Sequence, residues 1–153
     1  QKSRNDSSYQ FDSLGVRNGA SHSELKIAKD GTIRIIEIGA RMGGDFIGSD
    51  LVHISTGIDF VRAVIQIALG EEPDLTPDRE LKTSGVRFIF SQEDANVFFR
   101  LKKEHPEYIV DYEINDDLTG DVTDSSSRLG YFMMQADSRE QLVDYLPQQE
   151  KAD

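Results

Sequence analysis

The chain has 153 residues and a net charge of −11, from 17 Lys and Arg against 28 Asp and Glu. That balance argues against a nucleic-acid backbone or an anionic membrane surface as partner, since either would call for a basic face. The lack of cysteine excludes disulfides and thiolate metal sites, and no apolar run is long enough to span a bilayer. The length is that of about one domain, and the sequence opens without Met, as a piece of a larger protein would.

Gln1 to Asp12 is polar, with Asn5-Asp6-Ser7-Ser8 offering helix caps. Tyr9, Phe11 and Leu14 give a short amphipathic pattern, so a brief helix ending near Gly15 competes with disorder over the first eight residues. Next come two apolar-rich runs, Glu24 to Ala28 and Ile33 to Ile38, joined by Lys29-Asp30-Gly31-Thr32. Asp-Gly between β-branched runs predicts a hairpin with a two-residue turn. With Asp30 and Gly31 in that turn, Ala28 faces Ile33 and the count puts Glu24 directly opposite Glu37. Opposed residues have Cβ atoms roughly 4.5–5.5 Å apart, and like charges there repel. Two such carboxylates need a shared proton, a cation or open water. A hard divalent ion such as Mg²⁺ suits them; a solvated hairpin face, with Lys26 diagonal to Glu37, is the other reading.

Gly39-Ala40-Arg41-Met42-Gly43-Gly44-Asp45 follows. Its glycines allow positive φ and close approach to a ligand. Arg41, just past the strand end, is placed as phosphoryl chemistry needs an arginine beside metal carboxylates. Taken alone, the glycines fit a plain tight connection before a helix. Phe46 to Ser55 and Asp59 to Leu69 read as helical segments broken at Gly57, with Asp59 as N-cap and Gly70 and Pro73 as the stop. His53, among apolar neighbours, reads as structural. His22 shares a hairpin face with Glu24 and is a candidate substrate contact.

Glu71 to Thr83 reads as an exposed connector. Ser84 to Phe90 is a predicted strand, Glu93 to Lys103 a helix ended by His105-Pro106, and Tyr108 to Ile114 another strand. The acidic loop from Asn115 to Ser127 lacks the EF-hand pattern and reads as a solvated turn. Leu129 to Ala136 is a predicted strand, and Ser138 to Leu146 a helix with a capping-box start. The pattern is α+β with a largely antiparallel sheet.

His22-Ser23-Glu24, Glu37 thirteen positions on, and Ile38-Gly39-Ala40-Arg41-Met42-Gly43-Gly44-Asp45 together resemble the C-terminal part of an ATP-grasp domain. Within that family the similarity is to carboxylate–amine ligases such as L-amino acid ligases and the carbamoyl phosphate synthase large subunit. It covers residues 11–73, and extends more weakly to about 146. The resemblance implies an ATP-grasp C-terminal lobe over 1–73, with an α+β subdomain over 74–153 packed on it. It implies ATP and Mg²⁺ (or Mn²⁺) as cofactors, with the metal on Glu24 and Glu37 and Arg41 as the catalytic residue at the transferring phosphate. Ile36 would lie against adenine, and His22, Gly43, Gly44 and Asp45 would meet substrate. The family commonly has Asn where Gly39 stands, so one metal ligand is missing or comes from elsewhere. The implied activity is amide or peptide bond formation through an acyl phosphate, in the cytoplasm, on carboxylate and amine small molecules. The N-terminal and ATP-binding lobes would be partners, since only 21 residues precede His22, and the chain alone would be inactive. A reading from another class is a non-catalytic, free-standing lobe that binds a partner chain or a nucleotide.

Overall fold

The computed structural model describes residues 15–147, so the expectations for the segment before Gly15 lie outside it. Contacts divide the chain into two units, residues 1–53 with 58–76 and residues 54–57 with 77–153.

In the first unit, β1 (His22–Ile27) and β2 (Ile33–Gly39) form an antiparallel hairpin. Its turn has three residues, not two. The Gly31 N–H donates to the Ala28 carbonyl at 2.9 Å and the Ala28 N–H to that of Thr32 at 2.9 Å, enclosing Lys29-Asp30-Gly31 with Gly31 at φ +82°. The Asp30 carboxylate accepts from the Thr32 N–H at 2.9 Å, which holds its pKa below the ordinary Asp value. This turn pairs Ile27 with Ile33, Lys26 with Arg34 and Leu25 with Ile35, one residue off the predicted register. The ladder then shifts between Glu24 and Leu25, where Ile36 is the extra residue of a β-bulge. Beyond it Glu24 pairs with Glu37, Ser23 with Ile38 and His22 with Gly39.

The physical reason is segregation of faces. Cross-strand partners share a face, and residues alternate along each strand. The observed register collects Leu25, Ile27, Ile33, Ile35 and Ile38 on one side, and His22, Glu24, Lys26, Arg34 and Glu37 on the other. A continuous two-residue-turn ladder would instead set Arg34 against Ile27 and Lys26 against Ile35.

After the glycine loop, a π-helical turn (Ile47–Leu51) replaces the first part of the predicted helix, with the Leu51 N–H donating to the Phe46 carbonyl at 2.9 Å. It leads into α1 (Val52–Thr56). α2 (Phe60–Ala68) is capped by the Asp59 carboxylate, which accepts from the Arg62 N–H at 2.9 Å. It ends as predicted at Gly70, φ +77°. There the Gly70 N–H reaches Ile67 at 3.0 Å and the Glu71 N–H reaches Gln66 at 2.9 Å, which is a Schellman closure.

The second unit contains β3 (Thr83–Ile89), α3 (Gln92–Glu104), β4 (Ile109–Ile114), β5 (Gly130–Ala136) and α4 (Arg139–Leu142). Its sheet has the order β3-β5-β4 with both pairings antiparallel, so the expected α+β class is observed. Ile89, Phe98, Leu101, Phe132, Met134 and Leu142 are fully buried in its core. The Phe98 ring lies 5.4 Å from that of Phe132 and 4.7 Å from that of Tyr112. α4 is shorter than the predicted 138–146 helix. The carbonyls that follow it are taken by arginines: Arg100 donates to Asp144 at 2.9 Å, and Arg87 to Tyr145 at 3.2 Å and Leu146 at 3.1 Å. The Tyr145 hydroxyl donates to Glu104 at 2.8 Å, and burial followed by that carboxylate pushes its pKa up to about 12.

Arg87 also pairs with Asp94 at 2.7 Å, with both side chains mostly buried, and Asp94 accepts from the Phe90 N–H at 3.0 Å. Burial opposes ionisation of Asp94, but the Arg87 and Phe90 donors outweigh it and hold the carboxyl below the ordinary Asp value. A pKa lower in the folded state gives stability that is complete above the unfolded value of about 3.9 and is lost as pH falls through the folded one. Asp94→Asn is therefore expected to lower stability at pH 7 by about 2–3 kcal/mol and to flatten its dependence on acid. Urea unfolding at neutral and acid pH measures both.

Candidate active site

The hairpin's polar face carries the predicted acids. Glu24 and Glu37 are directly paired across the ladder, as expected, though by a three-residue turn plus a bulge. Lys26 and Arg34 form the next cross-strand pair on that face. None of these four side chains makes a hydrogen bond or ion pair within the described residues. No group of three or more His, Cys, Asp or Glu able to hold a metal occurs among those residues. Two carboxylates without a third protein ligand suit Mg²⁺, which keeps several waters and is held by one or two carboxylates plus substrate phosphates. The donor set thus fits a hard divalent ion that completes its shell from ligand and solvent.

His22 lies on the same face, paired with Gly39 at the strand end. Its ring packs on the loop. A Cβ added to Gly43 would stand 3.1 Å from His22 Cδ2 and 2.9 Å from Ile47 Cβ and Cγ2. Gly43→Ala is expected to lower stability by about 1–3 kcal/mol and to displace the imidazole. Urea unfolding with the His22 ring shifts in NMR would show it; unchanged shifts would argue against the packing role.

Gly39 has a second consequence. A Cβ there would meet Arg41 Cγ at 3.6 Å, so the Arg41 stem lies over the position where the resembled family carries Asn. The Arg41 guanidinium donates to the Met42 carbonyl at 2.8 Å and makes no ion pair with Glu24 or Glu37.

The loop's backbone departs from expectation. Gly39, Gly43 and Gly44 keep ordinary φ, whereas Asp45 and Phe46 are left-handed, at 51° and 64°. Asp tolerates that region, but an aromatic residue rarely enters it, and such residues store of order 1–3 kcal/mol each, typically at functional sites. The strain is held by a tight local fold. The Ile47 N–H donates to Gly44 at 2.9 Å and that of Gly48 to Gly43 at 3.2 Å, while a Cβ on buried Gly48 would stand 2.6 Å from Met42 Cβ. Sequence reasoning missed Phe46, Ile47 and Gly48 as parts of this loop; a glycine inside a helical pattern was the available signal. Ile36, the bulge residue, is unpaired in the ladder and 62% exposed.

No protein-family model matches the sequence, and no curated protein matches it significantly. Solved structures do. The L-amino acid ligase from Bacillus licheniformis superposes with a TM-score of 0.66 at 26% identity, over 88% of this chain and 37% of the ligase. The phosphoribosylglycinamide synthetase from Anaerococcus prevotii gives a TM-score of 0.67 at 21% identity, over 88% of this chain and 36% of the synthetase. The chain thus spans little more than a third of either protein. Both are ATP-grasp enzymes. With its antiparallel sheets and flanking helices, the chain has the α+β fold of a part of an ATP-grasp enzyme.

Proposed function

We propose that the chain is the metal-carboxylate part of an ATP-dependent ligase that joins a carboxylate to an amine through an acyl phosphate. The observation that carries this reading is the direct pairing of Glu24 with Glu37 beside the strained loop at Asp45-Phe46, within an ATP-grasp fold. Bound Mg²⁺ or Mn²⁺ would supply charge neutralisation at the ATP phosphates. Glu24 and Glu37 would hold it through their carboxylate oxygens. Ile36, bulged and exposed, offers an apolar contact for adenine. Gly43, Gly44 and Asp45 line the place of the substrate carboxylate, and His22 closes it from the strand side.

In the reaction a carboxylate oxygen attacks the γ-phosphorus of ATP and ADP leaves. The amine then attacks the acyl carbon, phosphate leaves, and the amine loses a proton. Arg41 turns from the Met42 carbonyl to the phosphoryl oxygens, where charge develops. Exposed and held by one neutral acceptor, it loses little in turning.

The lobe that covers ATP comes from elsewhere in the longer protein. The 153-residue chain with ATP, Mg²⁺ and mixed amino acids is expected to release no phosphate, whereas the full-length protein releases it only when the acid is present, and faster when the amine is present too. Turnover by the short chain, or acid-independent release by the long one, would sink the reading.

A further inference from the structure

We propose that Lys26 and Arg34 form an anion subsite next to Glu24 and Glu37, so that the hairpin's polar face binds a polyphosphate and its divalent cation side by side. The inference rests on the metal reading of the acid pair and adds two residues to it. Lys26 and Arg34 are directly opposed across the ladder and both exposed. Like charges so placed repel, and this face carries two such pairs of opposite sign in succession. Neither pair relieves the other, since none of the four side chains forms an ion pair within the described residues.

The same backbone device makes both pairs. The three-residue turn sets Lys26 against Arg34, and the bulge at Ile36 then brings Glu37 onto their face opposite Glu24. Two residues along a strand is about 6.7 Å, so the ligand that satisfies this face is positive at one end and negative at the other over that span. A single phosphate is too short to serve both ends. A di- or triphosphate chain that carries a divalent cation has the reach and the charges.

The test uses the 153-residue chain, Mn²⁺ and inorganic tripolyphosphate. Mn²⁺ binding is read by electron paramagnetic resonance, and tripolyphosphate binding by calorimetry with Mg²⁺ present. The Lys26→Ala/Arg34→Ala double variant is expected to lose about tenfold or more in tripolyphosphate affinity, with a shallower salt dependence, while binding Mn²⁺ alone at least as tightly as the parent. A control with the same charge change off this face, Lys103→Ala/Arg139→Ala, should leave the affinity within about twofold. Equal loss in the control, an unchanged affinity in the double variant, or no tripolyphosphate binding by the parent chain would each overturn the subsite. Mn²⁺ binding that depends on Glu37, beside an unaffected tripolyphosphate affinity, would remove Lys26 and Arg34 and leave the proposed function standing. Tripolyphosphate binding that needs Lys26 and Arg34 without any Mn²⁺ binding would keep the subsite and remove the metal reading.

Discussion

Glu37→Gln in the full-length protein is expected to lower ATP-dependent ligation by at least about 100-fold, a larger loss than second-sphere changes around a metal produce. The same substitution should leave the fold intact and raise the stability of the hairpin slightly. Gln has the shape of Glu without its charge, and the residue it faces is Glu24. Removing one charge of a directly opposed like pair relieves roughly 0.2–1 kcal/mol of repulsion. Opposite signs for activity and stability are what a binding pair produces and a structural pair does not. Phosphate release and thermal unfolding, measured on one preparation, separate them. Retained turnover would take Glu37 out of the metal site; lost turnover with lost stability would make the residue structural.

Gly130→Ala is expected to cause the largest loss of stability, above about 3 kcal/mol, against the 5–15 kcal/mol that domains commonly have. Gly130 opens β5, the central strand, where it pairs with both Ile89 and Ile114. Its φ is +147°, and a Cβ there would stand 2.2 Å from the Glu113 carbonyl oxygen and 2.9 Å from Ile114 Cα. These are backbone atoms of the neighbouring strand, so no rotamer change can make room. Relief requires β4 and β5 to separate at that end. Urea unfolding of the variant, with amide exchange at Ile114 and Tyr131, gives the size and the place of the effect. A midpoint equal to that of the parent chain would show that the sheet end is looser than its geometry implies.

The elements of the second unit are legible in the sequence because their signals are local: alternation in β3 and β4, the helical stripe of α3, and Pro106 after His105. The shortness of α4 is not. Beyond α4 the Tyr145 N–H donates to the Leu142 carbonyl at 2.9 Å, and Arg87 and Arg100, distant in sequence, meet the carbonyls of Asp144, Tyr145 and Leu146. At the candidate site, two different ladders bring Glu24 opposite Glu37. Asp-Gly signals a two-residue turn with Ile36 as an ordinary strand residue, whereas the hairpin has a three-residue turn with Ile36 bulged, and the two differences cancel at the acids. Side-chain sorting distinguishes the ladders, since the simple one mixes Arg34 with Ile27 and Lys26 with Ile35. The left-handed Asp45 and Phe46 carry no such signal. Glycines advertise positive φ in a sequence, and here the neighbouring non-glycines adopt it while Gly43 serves close packing.

The combined turn and bulge also constrain how this hairpin can tolerate insertions and deletions. Residues opposed across a hairpin with an even loop lie an odd number of positions apart, and an odd loop reverses that parity unless one extra residue restores it. Glu24 and Glu37 are thirteen positions apart, with an odd loop and one extra residue. Deleting one turn residue together with Ile36 leaves them opposed at a spacing of eleven. A single insertion in the turn alone gives a four-residue loop and a spacing of about fourteen, and with the bulge kept the acids stay opposed. Functional homologues of this hairpin can therefore change length at the turn or at the bulge independently, and whether the spacing of their two acids is odd or even should itself report how turn and bulge combine.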